Sequence, residues 1–194
     1  KGIPAQQIRL IDKRPSSAHA ADERKIALSA GSYQLLARMG ASPDTQNAYA
    51  IKQIHISRQT YFGRTLLNCE DYPLPALGYV ISYRDILGPL TNRLRQLGVE
   101  VSYNCEVLTH HYEQNVLQLR TNLHERYVTD LWIHAEGQTN AANSATTYRD
   151  YQQTAVIANV TVIAPIAHCA FERFTKAGPL ALLPISHQEY NLVW

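Results

Sequence analysis

The chain has 194 residues, 45% of them hydrophobic and 18% charged. This is a globular composition, long enough to bury a sizeable core and unlike that of a disordered or collagen-like chain. A net charge of +2 from 18 basic and 16 acidic residues, without basic blocks, gives no footprint for nucleic acid.

Residues 8–12 form an apolar run that ends in Asp12, which predicts a buried strand, and 13–25 read as a loop. Ser29 is placed to cap a helix through Leu35, Leu36 and Met39, with Gly40 as its stop. Residues 41–50 read as a loop, and 51–57 alternate as a strand. Residues 69–75 are rich in turn formers, and Tyr79-Val80-Ile81 is strand-like. Ile86, Leu87, Leu90, Leu94 and Leu97 then make one apolar helical stripe. Proline is costly beyond a first turn, so Pro89 sets the expected helix start near Leu87; Gly98 ends it.

Val99, Val101, Tyr103, Cys105 and Val107 alternate with polar residues and predict a single strand over 99–107. Residues 116–120 are its expected hairpin partner. A third strand is expected over 127–135, with Leu131-Trp132-Ile133 buried, and 136–150 read as a long loop. Strands follow at 154–162, 168–174, 180–183 and 190–194. The α/β start and strand-rich second half predict an α/β (α+β) fold: a doubly wound sheet with a β-sheet domain inserted or appended.

Three well-separated cysteines, Cys69, Cys105 and Cys169, contain no C-x-x-C pair and argue for a reducing compartment. No apolar run approaches the roughly 20 residues that span a bilayer. The start at Lys1-Gly2-Ile3-Pro4 reads neither as a signal peptide nor as a natural start, and 191–194 stop inside an apolar run. An internal piece of a longer protein is therefore expected.

Few residues carry chemistry by themselves. Asp12 at a strand end is the residue type that holds the adenosine ribose in dinucleotide-binding folds, although an acid there is also an ordinary loop residue. Glu136-Gly137 after a strand lets a backbone approach a cofactor, or makes a plain turn. The eight histidines give no metal set: His110 and His111 are adjacent, and H-E-x-x-H is absent. G-x-S-x-G is absent too. Phe171 and Phe174 flank Arg173 in a run that suits core packing with a surface ion pair. Gly178–Pro184, bounded by prolines, reads as a rigid apolar loop lining a ligand pocket, or as a turn into a core strand.

Several segments in order carry a resemblance. Leu10-Ile11-Asp12, 24–32 (Arg24 to Ser32), Leu35-Leu36-Ala37-Arg38-Met39-Gly40, 54–57 and 76–81 are similar to the 2-octaprenyl-6-methoxyphenol hydroxylase family of ubiquinone biosynthesis. So are 154–160, Ala170-Phe171-Glu172-Arg173-Phe174-Thr175, Gly178–Pro184 and Leu192-Val193-Trp194. The resemblance covers nearly the whole chain.

It implies a class A flavoprotein monooxygenase of the p-hydroxybenzoate hydroxylase type, with a partial Rossmann-like FAD-binding domain and a mostly antiparallel substrate domain. The implied boundaries are 1–50 and 76–150 for the FAD side, and 51–75 and 151–194 for the substrate side. FAD is the implied cofactor and NAD(P)H the co-substrate. The implied reaction is hydroxylation of a polyprenylated phenol, catalysed by the parent protein rather than by this chain alone. A different aromatic substrate, or a non-catalytic homologue that binds a lipid phenol or a partner, are the alternatives.

By the same mapping Asp12 holds the ribose, Arg24 is the basic residue of the flavin-contacting stretch, and Val107 offers backbone contacts near the adenine. Glu136-Gly137 stand where the family has Asp-Gly. Phe171, Arg173, Gly178, Pro179 and Leu182 fall on the substrate side. Implied partners are the lipid-tailed phenol and proteins of a biosynthetic complex, at a cytoplasmic location or one peripheral to the inner membrane.

Overall fold

A computed structural model describes residues 2–19, 21–135 and 149–194. Among them are fourteen strands and two α-helices, in the order β1 (Arg9–Asp12), β2 (Lys25–Ser29), α1 (Ala30–Arg38), β3 (Tyr49–Ile51), β4 (Gln53–Arg58), β5 (Arg64–Asn68), β6 (Gly78–Ser82), α2 (Tyr83–Leu97), β7 (Glu100–Tyr103), β8 (Val107–Glu113), β9 (Val116–Thr121), β10 (Arg126–Thr129), β11 (Ile157–Thr161), β12 (Cys169–Thr175), β13 (Gly178–Pro184) and β14 (Glu189–Val193). The expected mixed α/β class, rich in antiparallel strands, is what the chain adopts.

The chain forms two compact units: Lys1–His19 with Leu94–Gln153, and Ala20–Arg93 with Thr154–Trp194. The boundaries expected after residues 50 and 75 fall inside the second unit.

In the first unit β1 pairs in parallel with β7, from Arg9 opposite Glu100 to Asp12 opposite Tyr103. With a single neighbour among the described residues, β1 is not the buried strand expected: Ile8 and Leu10 are 42% and 38% exposed. Strands β8, β9 and β10 make an antiparallel meander. The β8–β9 turn places Gln114 and Asn115 at φ of 51° and 67°, the geometry that matches the twist of a tight hairpin.

The single strand expected over 99–107 is broken. Asn104 takes a φ of 53°, a left-handed conformation that asparagine tolerates. The chain therefore leaves β1 and reaches β9 as a new strand, so β9 pairs with β8 and not with β7. The third strand also ends early. The Thr129 hydroxyl accepts from the Leu131 N–H at 3.3 Å and donates to the Leu131 carbonyl at 2.9 Å, a local turn that competes with the ladder. Leu131 and Ile133 are 67% and 74% exposed, against the burial expected.

The second unit has three layers. A six-stranded sheet, in the order β11-β14-β13-β12-β4-β5, lies beside a three-stranded sheet, β2-β6-β3. Alternation along β6 gives the small sheet two apolar faces. Ile81 packs with Leu36 of α1 and Ile86 of α2, supported by Leu28, Tyr79 and Leu90. Val80 on the other face packs with Ile51 and with Ala170, Ile54 and Leu183 of the large sheet. Strand β6 is central, between β2 and β3. A Cβ at Gly78 would overlap the Leu28 carbonyl oxygen, so only glycine fits there.

Helix α1 follows expectation. The Ser29 hydroxyl accepts from the Ser32 N–H at 3.1 Å, and Gly40 closes the helix at a φ of 72°. Helix α2 begins a turn earlier than expected. The buried Ser82 hydroxyl accepts from the Asp85 N–H at 3.2 Å and donates to the Asp85 carboxylate, an N-cap that fixes the start at Tyr83. Pro89 then lies inside the helix, where it has no N–H to give the Asp85 carbonyl.

The strand expected over 51–57 changes sheet at Lys52. The N–H groups of Lys52 and Gln53 both donate to the His168 carbonyl, at 2.8 and 3.1 Å, so Ile51 stays in the small sheet and Gln53 starts the large one.

Candidate functional site

In the first unit Asp12 closes β1 with its side chain 17% exposed. Its Oδ1 accepts from the Arg14 N–H at 2.9 Å and from Arg14 Nε at 3.3 Å. This fixes a carboxylate at the carboxyl end of a parallel strand, where open α/β sheets bind ligands. The Asp12 carbonyl accepts from the Cys105 N–H at 3.1 Å, which brings the approach to Val107 alongside. Val107 opens β8 opposite Thr121.

Asn122 locks that stretch. Its Oδ1 accepts from the Glu106 N–H at 2.8 Å, and its Nδ2 donates to the Asn104 carbonyl at 3.1 Å. Sequence reading did not single out Arg14 or Asn122. The Asp-x-Arg spacing was a legible sign of a side-chain turn for the first; the second depends on a register that only the hairpin sets. Glu136 and Gly137 lie outside the described residues.

In the second unit Arg24 is 69% exposed. Its guanidinium grips Asp22 at 2.8 and 2.6 Å and lies 5.2 Å from the Tyr83 ring centre. Asp22 raises the Arg24 pKa through hydrogen bonding, so Arg24 meets any other anion with its charge already shared.

The large sheet gathers part of the expected substrate side. Phe171 stands opposite Leu182 of β13 and His55 of β4. Its ring is 5.7 Å from His55 and 6.2 Å from Tyr190. Arg173 lies two residues on, on the same face, with Nη1 3.4 Å from the Ser57 hydroxyl. The expected ion pair of Arg173 does not form among the described residues; the hydroxyl takes its place.

Pro179 faces the other way, opposite Phe174. Gly178 sits in the turn at a φ of 122°. Of the two readings of Gly178–Pro184, the turn into a core strand is the one that forms: the segment is strand β13, with Pro184 fully buried. Pro179 is tolerated there because β14 pairs only from Ala181 onward, so no ladder bond is lost on that side.

The face thus carries an imidazole, an aromatic ring, a guanidinium and aliphatic side chains: an apolar wall with two polar handles. Tyr190, 1% exposed, donates to the Ile166 carbonyl at 2.8 Å, and burial raises the pKa of its phenol. Burial also raises that of the Cys169 thiol. His55 and Tyr190 were missed in the sequence because they join Phe171 only through sheet pairing. Among the described residues no group of histidines, cysteines or carboxylates could hold a metal. No described helix is long and apolar enough to cross a membrane.

No family model matches the chain. It is 25% identical over 197 residues to an uncharacterized protein of Synechocystis sp., slr1300, covering 97% of this chain and 48% of that one. It is 29% identical over 133 residues to the mitochondrial ubiquinone biosynthesis monooxygenase COQ6 of Danio rerio, covering 61% of this chain and 28% of that protein. The chain therefore spans about half, or less, of the curated relatives it matches.

Among solved structures, a mutant of P. aeruginosa PqsL aligns with a TM-score of 0.76 and 10% identity, over 96% of this chain and 53% of that one. A tetrameric 2-methyl-3-hydroxypyridine-5-carboxylic acid oxygenase aligns at 0.61 and 15%, over 98% and 53%. CtdE in complex with FAD and a substrate aligns at 0.63 and 10%, over 94% and 49%. At these identities the likeness is one of fold.

Proposed function

We propose that this chain is part of a flavin-dependent aromatic hydroxylase, with FAD as cofactor, NAD(P)H as co-substrate and a polyprenylated phenol as substrate. The observation that carries the reading is the fixed carboxylate of Asp12 at the end of a parallel strand, in a chain whose fold is that of oxygenases and whose sequence is similar to a ubiquinone-pathway monooxygenase.

The adenosine end of FAD suits Asp12. A ribose diol could donate to the carboxylate that Arg14 holds in place, and such a charge-assisted bond is worth about 1.5–3 kcal/mol. The 105–107 backbone stands beside it. The cofactor supplies the oxygen chemistry when bound; this chain's residues bind, orient and exclude water. On the sheet face Phe171 and Leu182 would line the path of an apolar ligand, and Arg173 and His55 would hold a phenol oxygen.

The test is turnover in a protein that carries this chain together with the rest of its relatives' length. We expect NAD(P)H-dependent hydroxylation of a prenylated phenol. Phe171→Ala should lower kcat/KM about tenfold or more through lost positioning. NAD(P)H oxidation that never yields an oxygenated phenol would sink the proposal.

A further inference from the structure

One end of the large sheet has a composition that its interior does not explain. The β4–β5 turn and the β12–β13 turn lie side by side there. The Gln59 N–H donates to the Phe174 carbonyl at 2.8 Å, and the Lys176 N–H to Gln59 Oε1 at 3.3 Å. Thr60 and Gly63 hold φ of 65° and 100°, and the Thr175 hydroxyl donates to the Gly178 carbonyl at 2.7 Å. The tip is thus built from bonded turns and held in one shape.

Residues 58–64 and 173–178 contain four basic side chains, Arg58, Arg64, Arg173 and Lys176, and no acidic one. The chain as a whole has a net charge of only +2. Among the described residues none of the four joins an ion pair. The same tip presents apolar rings to water: Phe62 is fully exposed and Tyr61 is 63% exposed. Arg58 lies 4.1 Å from the Tyr61 ring centre and holds that ring beside the charge. Between the turns is an open hollow of about 490 Å³, with Arg58, Tyr61, Phe174 and Lys176 on its walls.

We infer that this tip docks on an anionic lipid surface, with Phe62 and Tyr61 entering the headgroup zone and Arg58, Arg64 and Lys176 on lipid phosphates. Charge complementarity selects the partner. Uncompensated cations attract an anionic bilayer, and apolar rings at the apex reward a partner with an apolar interior below its charges. A nucleic acid would instead call for an extended basic track. The inference assigns residues to the membrane-peripheral location that the family resemblance implies, and its docking contacts, Arg58, Tyr61, Phe62, Arg64 and Lys176, are none of the residues used in the hydroxylase reading.

The test is co-sedimentation of the chain with vesicles of phosphatidylcholine alone, and with vesicles containing roughly one-third phosphatidylglycerol. Binding is expected only to the anionic vesicles and should weaken as salt rises. R58E with K176E should reduce it about tenfold or more. Phe62→Ser should reduce it several-fold while leaving the salt dependence unchanged. All three residues are exposed, so circular dichroism should report an unaltered fold. No anionic-vesicle binding, equal binding to phosphatidylcholine alone, or full binding by the charge-reversed variant would overturn the inference. So would binding to heparin as tight as that to vesicles and indifferent to Phe62.

Discussion

The two units of this chain solve the same problem to different degrees. In the second, a small sheet with two apolar faces is covered on both sides, and Ile81 and Val80 are 0% and 2% exposed. In the first, a two-stranded sheet and a meander bury only Cys105 and Leu119 among the described hydrophobic residues, and Leu108, Leu123, Val128, Leu131 and Ile133 are at 50% exposure or more, as Phe62 and Ile163 are at the edges of the second. A strand needs cover on its faces as well as a partner at its edge. The second unit has both within the described residues, so the contrast predicts where substitutions will hurt.

The largest effect should come from Gly78. Gly78→Val drives a side chain into the Leu28 backbone and should cost about 3 kcal/mol or more, because the overlap is with a central strand and not a movable side chain. Urea unfolding followed by near-ultraviolet dichroism would measure it. Ile81→Ala should follow at about 2–5 kcal/mol, since its site is sealed by both helices. If either change left the midpoint unmoved, the layered account of the second unit would fail.

An intermediate effect should come from pH. Burial raises the pKa of the Cys169 thiol and of the Tyr190 phenol above their ordinary values of 9.0 and 10.0. The folded unit then keeps protons that the unfolded chain releases. Stability is fully present below about pH 9 and falls as pH rises from the unfolded values through the raised folded ones. Chemical denaturation across that range should show the decline, with its earlier part absent in Cys169→Ala.

In the first unit, Asn122→Ala removes two bonds to the 104–106 backbone and should cost about 1–2 kcal/mol. Leu131→Ser, at an exposed site, should stay within about 0.5 kcal/mol. A large loss at Leu131 would mean that the contrast between the units is misdrawn.

How far the sequence was legible follows the same physics. Helix α1 was read almost to the residue because its signals are local: Ser29 before it and Gly40 after it. The strands over 154–194 were also readable, since each has a run of apolar residues between turns. Helix α2 begins earlier than Pro89 suggests: Ser82 caps its start, and the helix carries the proline in its interior. The break at Asn104 and the sheet change at Lys52 were hidden, since both arise from backbone conformation and long-range pairing and leave the alternation of side chains intact. At the candidate site Asp12 stood out by its place at a strand end. Its support by Arg14, and the meeting of His55 with Phe171, depended on geometry that no spacing encodes.

The most direct test of the cofactor reading is a flavin titration of a protein that carries this chain together with the rest of its relatives' length, followed by fluorescence. The account predicts that FAD binds at least tenfold more tightly than FMN, which lacks the adenosine, and that Asp12→Ala erases the difference. Equal affinity for the two flavins, or an unchanged FAD preference in Asp12→Ala, would contradict it.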